Sequence, residues 1–144
     1  MSRGIEWEGV NNLLKAIDDF EEEYISAVKR VVAETATIIQ TTAQALAPVG
    51  QFDGGNLRKS IEVSFSNGGL KAEIIVGAEY GIWVEMGTGI YSLSGSGRKT
   101  PWVYYSEDLN RWVWTRGMRA QPYWTPGFEA GMKHFVREMN RLGA

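Results

Sequence analysis

His134 is the single histidine of this 144-residue chain, and with no second histidine to pair with it lacks the makings of a metal site. No serine stands in a context that would complete a nucleophilic triad, and zero cysteines remove disulfides, thiolate zinc sites and cysteine nucleophiles together. The acidic run from Asp18 to Glu23 has neither the alternating ligand spacing nor the glycine of a calcium loop. "GSGRKT" falls short of a phosphate-binding loop, because its lysine follows an arginine rather than the glycine. The residue types that remain in unusual number are aromatic, six Trp and six Tyr. In "PWVYY", "RWVWT" and "PYW" they have few lysines beside them, and an isoelectric point near 5.5 argues against a dedicated nucleic-acid binder. Trp, Tyr and Arg are enriched at subunit contacts, so a protein interface is the functional expectation, beside the plainer one of core and sheet cover. No catalytic, cofactor-binding or metal-ligating residue is assigned.

The elements that would carry such an interface are legible in the pattern. A length of 144 residues with 44% hydrophobic and 22% charged residues suits one globular domain. "GIEWEGV" alternates like a short strand or arm, and Asn11 or Asn12 then offers an N-cap before Leu13, Leu14, Ile17 and Phe20. From Glu21 to Ala47 the apolar positions Tyr24, Val28, Val31, Thr35, Ile38 and Thr42 step by four and three, which predicts a long amphipathic helix stopped by Pro48. "SIEVSFSNGGLKAEIIVG" reads as a β-hairpin with a turn at the glycines, "YGIWVEMGT" as a further strand, and "PWVYYSEDLNRWVWT" as a second hairpin. Between them lies a Gly/Ser-rich loop, about residues 89–100, expected to be mobile. A C-terminal helix closes the chain, with Phe128, Met132 and Val136 on one face and Lys133, Arg137 and Arg141 on the other. The fold class is therefore α+β: a long N-terminal helix, a small antiparallel sheet of two hairpins plus a strand, and a C-terminal helix, in one domain over 1–144.

Charge is uneven along the chain. Residues 1–47 hold eight acids against four bases, and residues 98–144 hold eight bases against four acids. Opposite ends of identical copies could attract each other, although separate solvated faces would give the same counts. No apolar run approaches the roughly 20 residues that span a bilayer, and "MSRGIEWEGV" lacks the apolar stretch of a signal peptide. The expectation is a cytoplasmic site of synthesis and assembly, and no membrane partner.

Three blocks, "APVGQFDGGNLRKSI", "EYGIWVEMGTG" and "QPYWTPGFEAG", occur in this order. Together they resemble the head-tail joining, or tail-completion, family of long-tailed bacteriophages. In that family a long helix ends in A-P-V-D-T-G-x-L-R-x-S-I, followed by Y-A-x-x-V-E-x-G-T and by P-F-x-x-P-A before a last helix. Pro48, Asp53, Gly55, Leu57, Arg58 and Ser60 fall on the first block, Tyr80, Glu85, Gly87 and Thr88 on the second, Pro122 on the third. The chain departs from the pattern in the inserted "GQF", in Gly54 for threonine, in Tyr123 for phenylalanine and in Gly127 for alanine.

The resemblance implies a structural, non-enzymatic virion protein of the phage neck, assembled in the host cytoplasm. It would be a homo-oligomeric ring, hexameric by likeness to the family, between the head-side connector or head-completion protein and the tail terminator or tail tube, with DNA passing through its lumen. Interface and motif positions are then the residues just named together with Trp102, Trp112 and Trp124. A capsid or tail-tube protein is the alternative, and a small hydrolase a more distant one. Two finer expectations accompany it: that Arg58 and Glu85 pair within or between subunits, and that the Gly/Ser-rich loop orders on contact with a neighbour.

Overall fold

The computed structural model describes residues 2–49, 55–107 and 109–143, with side chains from Val10 onward. Helix α1, Ser2–Leu46, runs without interruption for 45 residues, about 65–70 Å. Between Val10 and Leu46 there is neither glycine nor proline. Asn11 and Asn12 do not cap its start as expected, because a disfavoured residue costs only a few tenths of a kcal/mol against a continuous ladder of hydrogen bonds. For the same reason "GIEWEGV" is helical backbone and not a strand. The helix stops at the anticipated place, one residue short of the buried Ala47 and two short of Pro48.

A short helix α2, Asn56–Lys59, leads into the first hairpin, β1 (Ile61–Ser66) and β2 (Lys71–Val76). Their register pairs Ile61 with Val76, Val63 with Ile74 and Phe65 with Ala72, which puts the alternating apolar residues on one face. The turn holds Asn67, Gly68 and Gly69 all at positive φ, the conformation that asparagine and glycine tolerate best. A second hairpin, β3 (Trp102–Ser106) and β4 (Arg111–Thr115), pairs Val103 with Trp114 and Tyr105 with Trp112. The two hairpins are separate two-stranded sheets rather than one. The segment expected as an additional strand is helix α3, Gly81–Met86. A short apolar run has no period that separates strand from helix, and here the buried positions Gly81 and Val84 lie three apart on one helical face.

Helix α4, Trp124–Gly143, packs antiparallel along the second half of α1. The two backbones approach closely because α4 presents glycine at the contact. A Cβ added at Gly127 would lie 3.0 Å from the Ala43 amide nitrogen, and one at Gly131 would lie 2.2 Å from Ile39 Cγ1. Below this contact Ala43, Ala47, Leu57, Ile61, Val84 and Tyr123 form the core. The first half of α1 has no such cover, and every described residue from Val10 to Ser26 is exposed.

Candidate functional site: the joint and the two uncovered faces

The three sequence blocks meet at one place, where the C-terminus of α1, helix α3 and the N-terminus of α4 converge. A helix leaves its last carbonyls and first amides without partners, and the aligned peptide dipoles make the first end positive and the last end negative. Of the charged block positions, Arg58 and Glu85 are described, and each answers one of these ends. Arg58 donates from Nη2 to the Ala47 carbonyl at 3.3 Å, just past the negative end of α1. Glu85 reaches the positive end of α4, where its Oε2 accepts from the amides of Tyr123 at 2.8 Å and Trp124 at 2.9 Å and its Oε1 from that of Thr125 at 3.0 Å. The expected Arg58–Glu85 pair is therefore not formed within the chain. Two helix ends offered each charge a partner that sequence spacing does not reveal.

Burial pushes the Glu85 carboxyl up, but the Thr125 side chain and the amides of Trp124, Tyr123 and Thr125 outweigh it and hold the group below its ordinary value. A carboxylate so held is a permanent acceptor, the reverse of what a general acid needs. Beside it Tyr123 is almost wholly buried and donates its hydroxyl to the Gly81 carbonyl at 3.0 Å. Burial first, then the charges of Glu85 and Tyr80, raise this phenol above its usual value. Gly81 has to be glycine for the contact to exist, since a Cβ there would come within 2.7 Å of the Tyr123 hydroxyl and 2.8 Å of Val76 Cγ1.

The other block residues serve the same joint. Leu57 is fully buried in the core, and Gly55 takes positive φ at the entry to α2. Ser60 closes α2 by donating its hydroxyl to the Leu57 carbonyl at 2.7 Å, and the half-buried Pro48 follows Ala47. Tyr80 and Trp124 pack against the core, Trp124 also stacking on Phe128, and Pro122 is exposed just before Tyr123. Gly87 is buried at positive φ, and the Thr88 hydroxyl and amide engage the amide and carbonyl of Met118, each at 2.8 Å. Asp53 lies outside the described residues, as do Gly50 and Gly54.

The Gly/Ser-rich loop is fastened at its base. The Ile90 amide donates to the Arg116 carbonyl at 3.2 Å, and a Cβ at Gly89 would stand 1.9 Å from the same oxygen. With Ile82, Trp83 and Trp102 this loop frames an open groove of about 620 Å³. Neither a carboxylate nor a histidine lines that groove, and its one charged side chain, Arg98, lies over the Trp102 ring. His134 is committed elsewhere. It bonds Glu34 of α1 through Nε2 at 3.0 Å, and Arg137, which can only donate, approaches Nδ1 at 3.1 Å, so the hydrogen sits on Nε2.

Among the described residues large apolar side chains are exposed on several elements, Ile82 and Trp83 of α3 and Phe128 and Val136 of α4 among them, and two such surfaces extend along a whole face. At 100° per residue the stripe that packs against the body through Val31, Thr35 and Ile39 continues outward through Val28, Tyr24, Ile17 and Val10, flanked by Leu13, Leu14 and Phe20. Half of one amphipathic face is core and the other half is bare. The second place is the β3–β4 hairpin, on one face of which Val103, Tyr105, Trp112 and Trp114 are all exposed, Trp112 at 69%. Sequence reasoning singled out Trp112 as an interface candidate, and the structure places it exposed on this face. It did not foresee that the apolar stripe of the arm stays uncovered, and it missed Gly127 and Gly131, although their spacing of four was a visible sign of close helix packing.

A family model described as Bacteriophage HK97-gp10, putative tail-component, matches residues 11–87, just over half of the chain. That span holds most of α1, the first hairpin, α3 and the α1 and α3 sides of the joint. No curated protein and no solved structure matches.

Proposed function

The chain belongs to the HK97-gp10-like family of bacteriophage tail components, and on that premise we propose that it is a ring-forming structural adaptor of the phage neck. It would sit between the head-side connector and the tail tube, in six copies by likeness to its family, with head-completion and tail-terminator proteins as neighbours and the DNA passing through its lumen. As a tail component it has its place in the virion.

One observation carries the ring. The subunit exposes two apolar surfaces that differ in shape and in charge, a helical stripe in the acidic N-terminal part and an aromatic hairpin in the basic C-terminal part. Contiguous apolar surface of this kind marks association sites. Unlike surfaces associate head to tail, and head-to-tail contacts close into rings when the rotation permits. The joint supplies the stiffness such a wedge needs, because α1, α3 and α4 are locked by Arg58, Glu85 and Tyr123.

The test is electron microscopy of tails, joined to native mass spectrometry of the neck released from them. The expected result is a single closed ring of this chain at the head-proximal end. Repetition along the whole tail, placement in the capsid shell, or a two-fold dimer would overturn the adaptor reading.

A further inference from the structure

We infer that the two uncovered faces are each other's partner, the α1 arm of one copy lying across the aromatic face of the β3–β4 hairpin of the next. This rests on the head-to-tail ring and says which surfaces build it.

The arm cannot cover its own hairpin by folding back. It is one continuous helix with the segment of α1 that is held on α4 and the first hairpin, and neither glycine nor proline offers a hinge from Val10 to Leu46. The hairpin has the complementary difficulty. A two-stranded sheet is marginal on its own and needs a layer against its apolar face, and here that face is open. A helix laid on a small sheet meets both needs.

Charge selects this pairing over the alternatives. Asp18 and Glu21 run along one edge of the stripe, and among the described residues neither has an ion-pair partner. On the hairpin, Arg116 follows Trp114 on the same face and lies over its ring at 5.4 Å. Arg116 is likewise without a carboxylate among the described residues. The outer face of α4 is a poorer receiver, since Arg137 and Arg141 are already engaged by Glu138. Arm-to-arm pairing would bring acidic edges together, which is unfavourable.

Size fits a subunit that waits for its template. The bare arm from Val10 to Ser26 is about 25 Å long and about 10–12 Å wide, so its footprint is well under the ~800 Å² per partner of a stable complex. One such contact is weak. A closed ring on a finished tail makes many at once, at high effective concentration.

The chain has no cysteine of its own, so engineered thiols report contacts directly. Tails are assembled with Ile17→Cys plus Trp114→Cys in the same chain, and disulfide formation is driven by mild oxidant. The expected result is a ladder of cross-linked multimers, while a mixture of the two single variants gives dimers only. Ile17→Cys alone that dimerises would show arm-to-arm pairing and overturn the inference. A ring seen by microscopy with no cross-link in the double variant would overturn it while leaving the ring intact, whereas absence of any ring would strike the adaptor reading first. Should the cysteine variants fail to enter tails, charge exchange decides. Glu21→Arg and Arg116→Glu are each expected to reduce incorporation at least five-fold and to restore it when combined, and no restoration counts against the contact.

Discussion

Glu85 joins two blocks that lie 38 residues apart, and its contribution depends on being ionised. Its folded-state titration is depressed by hydrogen bonds, so the stability it adds is complete above the unfolded carboxyl value of about 4.3 and is lost as pH falls through the folded value. Glu85→Gln is expected to lower stability by about 1–2 kcal/mol at neutral pH, as loss of a helix cap does. Its deficit relative to the natural chain should narrow as the pH drops below about 4.3. Urea titrations at pH 7 and pH 3.5 measure both, and an equal deficit at the two values would show that the charge is immaterial. Tyr123 runs the other way. Its raised phenol adds stability that is present below the unfolded value of about 10 and lost above it. Thr35 is a third case, with a buried hydroxyl that has no hydrogen-bond partner among the described residues. Thr35→Val keeps the shape and removes the unsatisfied group, and is expected to be neutral or stabilising by about 1 kcal/mol in thermal unfolding.

At the level of elements, the α1–α4 contact tolerates no added carbon at Gly131. Gly131→Ala is expected to cost about 1–3 kcal/mol through overpacking, in spite of the better helix propensity of alanine. Ile39→Ala, which removes both clashing carbons Cγ1 and Cδ1, should cost less in the Gly131→Ala background than in the natural chain. A simple gain in stability on Gly131→Ala would mean that the helices are not in this contact. The Gly/Ser-rich loop divides into a fastened base and an exposed tip. Gly89→Ala is expected to destabilise strongly, since its Cβ would meet the Arg116 carbonyl, while Gly95→Ala has open space to enter and pays only for its positive φ. Hydrogen exchange should accordingly find protection at Thr88, Ile90 and Leu93, whose amide donates to the Met86 carbonyl at 2.9 Å, even in the free subunit, and little from Ser94 to Lys99 until a neighbour covers them.

For the whole molecule, the bare arm and the aromatic hairpin should make association sensitive to salt. Exposed charges more than ~8–10 Å apart are screened at physiological ionic strength, so ring closure on tails is expected to weaken as salt rises from 50 to about 500 mM. Native mass spectrometry or light scattering across that series reads it. Since the contact is also apolar, association should fall without vanishing. Insensitivity to salt would assign the direction of assembly to shape alone.

How much of this was legible in the chain depends on whether the deciding force was local. Helix periodicity, the proline at the end of α1, the glycine turn of the first hairpin and the alternation of β3 and β4 are short-range effects, and the end of α1, both hairpins and α4 appeared near their expected places, whereas α2 was not foreseen and both α3 and "GIEWEGV" had been expected as strands. Trp112, expected at an interface from its type and company, is exposed on the hairpin face. Three matters needed the tertiary structure. A six-residue apolar run became α3 because its buried positions had to face Tyr123 and the core, which no local period reveals. Arg58 and Glu85 took helix ends instead of each other, because the dipoles they answer exist only once α1 and α4 converge. The long helix was expected only from Glu21, and it was the tertiary structure that showed one continuous α1 whose inner stripe is packed as core while the stretch from Val10 to Ser26 is left bare.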